Sequence, residues 1–227
     1  MHPQKTQNNG HKYLALLKGA NPQMVGKKVT VSAVMRELEK DIVFYDQSGG
    51  GVTFSGGEPL MQPLFLNALL ASCRENDIHT AVDTSGYAGW DVFEMTMERV
   101  NLFLYDLKIM EDEMHTKYTG VSNRLILENI NKLHETGAKI EIRIPLIPGY
   151  TDSAANLTAI ADYLKPMKNI EKICLLPYNQ IGEEKYQRFR MKNRSGRHSM
   201  QTPRELQEMQ LLFTGLQAEA RLEGSDE

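Results

Sequence analysis

The chain has 227 residues, 41% hydrophobic and 24% charged, with a formal net charge of -3 and two cysteines. That composition suits one globular domain with a substantial core, and near-neutral charge gives no electrostatic reason to bind nucleic acid or an anionic membrane. No apolar run approaches the ~20 residues of a membrane span and no leader pattern opens the chain, so the cytoplasm is the expected compartment. Two cysteines are too few for a disulfide framework or a four-cysteine metal site.

In chain order, residues 1–24 begin polar, from Met1 to Gly10, and are expected to be poorly ordered. Within them Tyr13–Leu17 fits a strand or a helical turn equally. Thr30 is a candidate N-cap for a helix whose Val31, Val34, Met35, Leu38 and Ile42 share one face. Val52–Phe54 predicts a short strand ending at Ser55-Gly56-Gly57-Glu58, where two glycines let the backbone approach a ligand. Pro59 stiffens the exit, and Pro63 opens a helix with Leu66, Leu69, Leu70 and Cys73 inward. Ile78–Val82 is the next strand, ending in Asp83-Thr84-Ser85-Gly86, with a helix over Trp90–Val100 behind it. Leu102–Tyr105 is the third, ending in Asp106-Leu107-Lys108.

Ser122 can cap a helix carrying Leu125, Ile126, Ile130 and Leu133, which Gly137 stops. Lys139–Ile147 alternates as a strand and breaks at Pro148-Gly149. Asp152 or Ser153 begins a helix with Leu157, Ile160, Ala161 and Leu164, ended by Pro166. Ile173–Leu176 is a further strand, running into Pro177-Tyr178-Asn179. Residues 183–198 are rich in Lys and Arg without an apolar face, which favours a solvated loop over a docking loop. Thr202-Pro203-Arg204-Glu205 is a capping box opening a last helix with Leu206, Met209, Phe213 and Leu216. Residues 221–227 read as a polar tail expected to fray, which leaves one domain over 25–220.

Alternating strands and helices argue for an α/β fold with a parallel sheet and right-handed crossovers, about five strands in all. The polar residues at the strand exits carry the functional reading: Glu58, Asp83, Asp106 with Lys108, Arg143 and Asn179. Open sheets and (β/α) barrels place ligands at the carboxyl ends of strands, so this succession implies one site built from consecutive loops. Ile140, Ile142 and Ile144 share one strand face and Glu141 and Arg143 the other, which points to a polar cavity inside the barrel. Asp83 and Asp106 in one mouth need a cation between them, from Lys108 or a bound monovalent ion, unless both simply cap helices. Lys108 suits either a Schiff base or a ligand carboxylate, and Arg143 suits an anion ligand in preference to a structural ion pair. Cys73 and Cys174 read as core residues, and His79 and His115 as surface or strand-end histidines.

Six segments together resemble the glycyl-radical enzyme activating proteins, radical SAM enzymes of the pyruvate formate-lyase activating type. They are Gly49–Leu60, Thr80–Tyr87, Leu104–Lys108, Thr119–Asn123, Ile142–Tyr150 and Leu175–Asn179, and the resemblance runs from about Val25 to Phe213. It implies a partial (β/α)6 barrel of the radical SAM type, holding a 4Fe–4S cluster and S-adenosylmethionine. The cluster's electron releases a 5′-deoxyadenosyl radical that takes hydrogen from a backbone glycine of a partner glycyl-radical enzyme. A flavodoxin or ferredoxin is the implied electron donor. By the same resemblance Gly56, Gly57 and Glu58 receive the methionine amino group, and Asp106, Leu107, Lys108 and Arg143 lie on its carboxylate side. Asp83, Thr84 and Asp106 match residues that hold a monovalent cation there. Pro59 with Gln62-Pro63 is nearer the activators of glycerol or choline lyases than the pyruvate formate-lyase type.

Two departures matter. The residue after Pro177-Tyr178 is His in the family and Asn179 here, which keeps a hydrogen bond to adenosine and drops any imidazole role. The Cys-x-x-x-Cys-x-x-Cys loop and the first strand that carries it are absent, so no iron–sulfur cysteines are assigned. The expectation is an activase shortened at its amino end and inactive by itself. The alternatives are a non-catalytic degenerate barrel that binds a glycyl-radical enzyme or an adenosyl ligand, and a cluster-independent barrel enzyme using Lys108, which the resemblance disfavours.

Overall fold

A computed structural model describes residues 27–179 and 199–223, so the expectations for residues 1–24 and 183–198 lie outside it. From Val31 onward the elements are α1 (Val31–Leu38), α2 (Ile42–Ser48), β1 (Gly51–Phe54), α3 (Pro63–Glu75), β2 (His79–Thr84), α4 (Trp90–Thr96) and β3 (Leu102–Asp106). There follow α5 (Asp112–Thr119), α6 (Arg124–Glu135), β4 (Ile140–Leu146), α7 (Ala154–Leu164), β5 (Ile170–Pro177), α8 (Pro203–Leu211) and β6 (Ala220–Leu222). Six strands form one open sheet in sequential order, every neighbouring pair parallel. That is a partial (β/α) barrel, as the alternation demands. No helix among the described residues is long and apolar enough to cross a membrane.

The strands alternate because the two sheet faces have different environments. In β4, Ile140, Ile142, Ile144 and Leu146 are fully buried, while Glu141, Arg143 and Pro145 are half-buried on the other face. The apolar face packs with Val82, Phe103, Tyr105, Ile173 and Leu175 against Leu66, Leu70, Phe93, Ile130, Leu133, Leu157 and Ile160 of the helices. Each such side chain, withdrawn from water, stabilises the fold by about 1.5–3 kcal/mol. A smaller cluster of Met35, Leu69, Cys73 and Ile78 seats α1 on α3, with Cys73 Sγ 4.0 Å from Met35 Sδ.

Several local expectations are corrected. The helix from Val31 breaks after Leu38 into a 3-10 turn at Glu39–Asp41 before α2 resumes. Asn123, not Ser122, stands at the N-cap of α6, and Ser122 Oγ donates instead to Asp112 Oδ1 at 2.6 Å. The α7 cap is Ser153, which accepts from the Asn156 N–H. The helix α5 has no counterpart in the sequence reading. The sheet has six strands, because Ala220–Leu222 pairs in parallel with Ile173–Leu175 where a frayed tail was expected. His115 is buried, its Nδ1 2.8 Å from the Val121 carbonyl, because the αL turn at Gly120 folds the chain back over it.

Candidate functional site

The loop after β1 is built by Glu58. Its carboxylate accepts from Thr84 Oγ1 at 2.7 Å, Ser85 N at 2.9 Å, Ser85 Oγ at 2.6 Å and Leu60 N at 3.3 Å. Glu58 also caps the 3-10 turn at Pro59–Met61. It therefore pins the β1 loop to the exit of β2, and its own oxygens are occupied in doing so. Gly56 and Gly57 sit in the left-handed region, at φ +91° and +61°, with no heavy atom within 4 Å of where a Cβ would stand. Glycine is demanded by the backbone, and the exposed peptides face open space.

On the half-buried face of the sheet, opposite the face that Thr84 shares with Tyr105, the charges pair. Arg143 Nη1 lies 2.8 Å from Asp83 Oδ2, reaching from β4 to β2 across Leu104. Asp106 stands beside Arg143 in register and pairs with Lys108 Nζ at 3.1 Å. Burial raises the Asp106 carboxyl above its ordinary range; Lys108 opposes that, Asp83 adds to it and Arg143 opposes it. Burial and like charge thus compete with two cations in one small volume. Thr84 is buried, its hydroxyl donating to Glu58 and accepting from Gly86 N at 3.0 Å. Leu107 is buried too and continues the ladder, its N–H donating to the Arg143 carbonyl at 3.0 Å. Asn179 is exposed just beyond β5.

The structure therefore brings Asp83, Arg143, Asp106 and Lys108 together on the polar face, while Glu58 and Thr84 form a second group at the exits of β1 and β2, with Thr84 in the buried row of Tyr105 and Ile142. Leu107 contributes backbone only, and no polar contact links Asn179 to the group. Three residues that shape the site escaped the sequence reading. Ser85 supplies two of the four bonds to Glu58. Asn129 Nδ2, from the buried stripe of α6, donates to the carbonyls of Gly86 and Ala88, both at 2.8 Å. Asn156 Nδ2, from α7, donates to the carbonyls of Lys108 and Thr151, both at 2.8 Å, and its Oδ1 accepts from Met110 N. An asparagine inside an apolar helical stripe, as at Asn129 between Ile126 and Ile130, is the visible sign of such a clamp. Cys174 is also corrected. It is buried, but on the polar face, its Sγ 3.1 Å from Glu141 Oε1 and 3.1 Å from Glu223 Oε1.

Residues 12–159 match the family model of the radical SAM superfamily. The trans-4-hydroxy-L-proline dehydratase activating enzyme of Clostridioides difficile is 41% identical over 194 residues, 84% of this chain and 64% of the relative. The pyruvate formate-lyase-activating enzyme of Clostridium pasteurianum is 38% identical over 166 residues, 73% of this chain and 69% of the relative. A crystal structure of a domain of pyruvate-formate lyase-activating enzyme from Bacteroides vulgatus superposes with a TM-score of 0.64 at 35% identity, covering 77% of this chain and 99% of that one. The chain thus spans less than two thirds of the length of the C. difficile relative.

Proposed function

The chain belongs to the radical SAM superfamily, among the glycyl-radical enzyme activating proteins, and from that premise we propose that its polar sheet face holds S-adenosylmethionine for activation of a partner glycyl-radical enzyme. The observation that carries the reading is the pair of ion pairs Asp83–Arg143 and Asp106–Lys108 on one sheet face, with the open Gly56–Gly57 backbone at the exit of β1 beside them in the sheet order. A methionyl group is a zwitterion: its ammonium needs acceptors and its carboxylate needs cations. Because Glu58 is engaged, the Gly56–Gly57 backbone is the part of that loop free to meet the amino end. Arg143 and Lys108 suit the carboxylate, each exchanging its internal partner for the ligand's. Asp83 and Asp106, released by that exchange, are the oxygen donors for a monovalent cation beside Thr84, and Asn179 lies on the adenosine side. When bound and given one electron, S-adenosylmethionine supplies the 5′-deoxyadenosyl radical that takes hydrogen from a glycine of the partner. With this reading go a glycyl-radical enzyme as protein substrate, a flavodoxin or ferredoxin as electron donor, and the cytoplasm as compartment.

The 4Fe–4S cluster of the family does not fit the residues of this sequence. Such clusters are held by cysteine thiolates, and the only two cysteines are buried elsewhere. Cys73 packs on Met35, and Cys174 sits between two carboxylates. Neither thiol offers a cluster site as it stands, and the alternative to an activase is a barrel that binds the adenosyl ligand or the partner enzyme without chemistry of its own. Calorimetric titration of the chain with S-adenosylmethionine tests the ligand site. Measurable binding is expected, at least tenfold weaker in Arg143→Met. Absent binding, or equal affinity in the variant, refutes the site. Anaerobic treatment with iron and sulfide separates the two readings, since about four irons per chain with a visible iron–sulfur band would overturn the misfit.

A further inference from the structure

One side-chain cluster on the polar face has no part in the ligand site above. Ile173 and Leu175 enter the hydrocarbon core, and Cys174 between them points to the other face. There its Sγ is 3.1 Å from a Glu141 oxygen on β4 and 3.1 Å from a Glu223 oxygen just past β6. The three ligand atoms lie within 4.8 Å of one another. Lys172 Nζ pairs with the same Glu223 oxygen. A thiol has one proton, so it can donate to only one of its two carboxylate neighbours. The second short S···O contact has no hydrogen in it, and two carboxylates repel across the sulfur.

We propose that Glu141, Cys174 and Glu223 form a zinc-class divalent metal site that ties the end of β6 to β4 and β5. Tetrahedral zinc, with Zn–S about 2.3 Å and Zn–O about 2.0–2.2 Å, sets its ligands roughly 3.3–3.7 Å apart. Sγ stands 3.1 Å from each carboxylate oxygen and all three atoms lie within 4.8 Å of one another, which brackets that spacing. Thiolate with carboxylate selects zinc and similar borderline ions over magnesium or calcium. Without a metal, burial first and then the Glu141 and Glu223 carboxylates hold the thiol protonated, far above its ordinary range. Binding forms the metal–sulfur bond and releases that proton to solvent. The two carboxylates, the thiolate and the Lys172 ammonium are then left with two negative charges in excess, which one divalent ion cancels. Lys172 supplies part of that compensation when the metal is away, and its pairing with Glu223 holds its own pKa up. The proposal does not rest on S-adenosylmethionine binding, because none of the three ligands is among the residues assigned to it, although Arg143 stands beside Cys174 in register.

The test uses the full chain, reduced and stripped with a chelator, then titrated anaerobically with Co²⁺ alone. One Co²⁺ per chain is expected, with a near-ultraviolet thiolate-to-cobalt band that added Zn²⁺ erases. The band should persist in Cys73→Ser and vanish in Cys174→Ser, and Glu141→Gln should bind at least tenfold more weakly. Glu141→Gln, nearly isosteric, decides the matter if Cys174→Ser does not fold. No band in the wild type, a band surviving Cys174→Ser, or unchanged affinity in Glu141→Gln overturns the site. The cluster would then be a thiol hydrogen-bonded between carboxylates, with Lys172 as its counter-ion.

Discussion

Glu58→Gln distinguishes an anchor from a ligand contact. Each carboxylate oxygen of Glu58 accepts one backbone N–H: Oε1 from Leu60 N and Oε2 from Ser85 N. Each also accepts one hydroxyl, from Thr84 and from Ser85. A hydroxyl can turn and donate elsewhere, but a backbone N–H cannot. Either orientation of a glutamine amide therefore sets an NH₂ donor against a fixed N–H donor. One hydrogen bond is lost and a partly buried donor is left unmet, a cost of about 1–3 kcal/mol. Taken at about 2 kcal/mol, this lowers the melting midpoint of a chain of this size by roughly 4–8 °C. Thermal unfolding of wild type and variant without ligand is the assay. If Glu58 served only to contact ligand, stability would be unchanged and affinity alone would fall. A variant that melts with the wild type would refute the anchoring network, whatever its affinity.

Two further outcomes follow from the same geometry. Gly86→Ala sets a Cβ 1.9 Å from Tyr105 Oη at φ +75°. The left-handed backbone costs about 1–2 kcal/mol, and displacing the Tyr105 hydroxyl from the Ile126 carbonyl costs about 1–3 more. Gly57→Ala, with open space around the new methyl, should lose only the first part; equal urea midpoints for the two variants would contradict the packing. Asp106→Asn addresses pH. Burial raises the folded-state pKa of Asp106 above its unfolded value, so the folded chain binds that proton more tightly. Its contribution to stability is full below the unfolded pKa and is lost as pH rises through the folded one. The stability of Asp106→Asn minus that of wild type should therefore rise from acid to neutral pH, whatever fixed cost the lost Lys108 pair adds, as urea titrations across pH 3–7 would report. A difference that moves in the variant's favour on acidification would show the sign to be wrong.

Most of the fold was legible because the signals were local. Strands β1 to β5 follow from β-branched runs bounded by glycine and proline, and the alternation of β4 told its two faces apart. The polar residues at the strand exits were legible for the same reason, each standing where an apolar run stops. What escaped depended on partners distant in sequence. A three-residue strand such as Ala220–Leu222 has too little pattern to separate it from a polar tail; its pairing with Ile173–Leu175 defines it. With β6 missing, Glu223 had no place near Cys174, and Cys174 between two apolar neighbours read as core. His115 was misread likewise, since its burial depends on a turn at Gly120 rather than on its own helix face.

The internal ion pairs also bear on which ligands the face can accept. Arg143 and Lys108 are already bonded to Asp83 and Asp106, so a ligand carboxylate gains little unless the displaced aspartates find new partners. Leaving a partly buried carboxylate unpaired is costly, and a purely anionic ligand offers nothing in exchange. A zwitterion, or an anion arriving with a cation, brings both signs of charge at once. Asn129 and Asn156 sharpen this choice by clamping the loops after β2 and β3. These bonds fix the backbone of the loops behind Asp83 and Asp106, so a ligand meets the two ion pairs on a held frame. Under the proposed function, a zwitterionic amino-acid end suits the resting pairing of the site better than a purely anionic ligand.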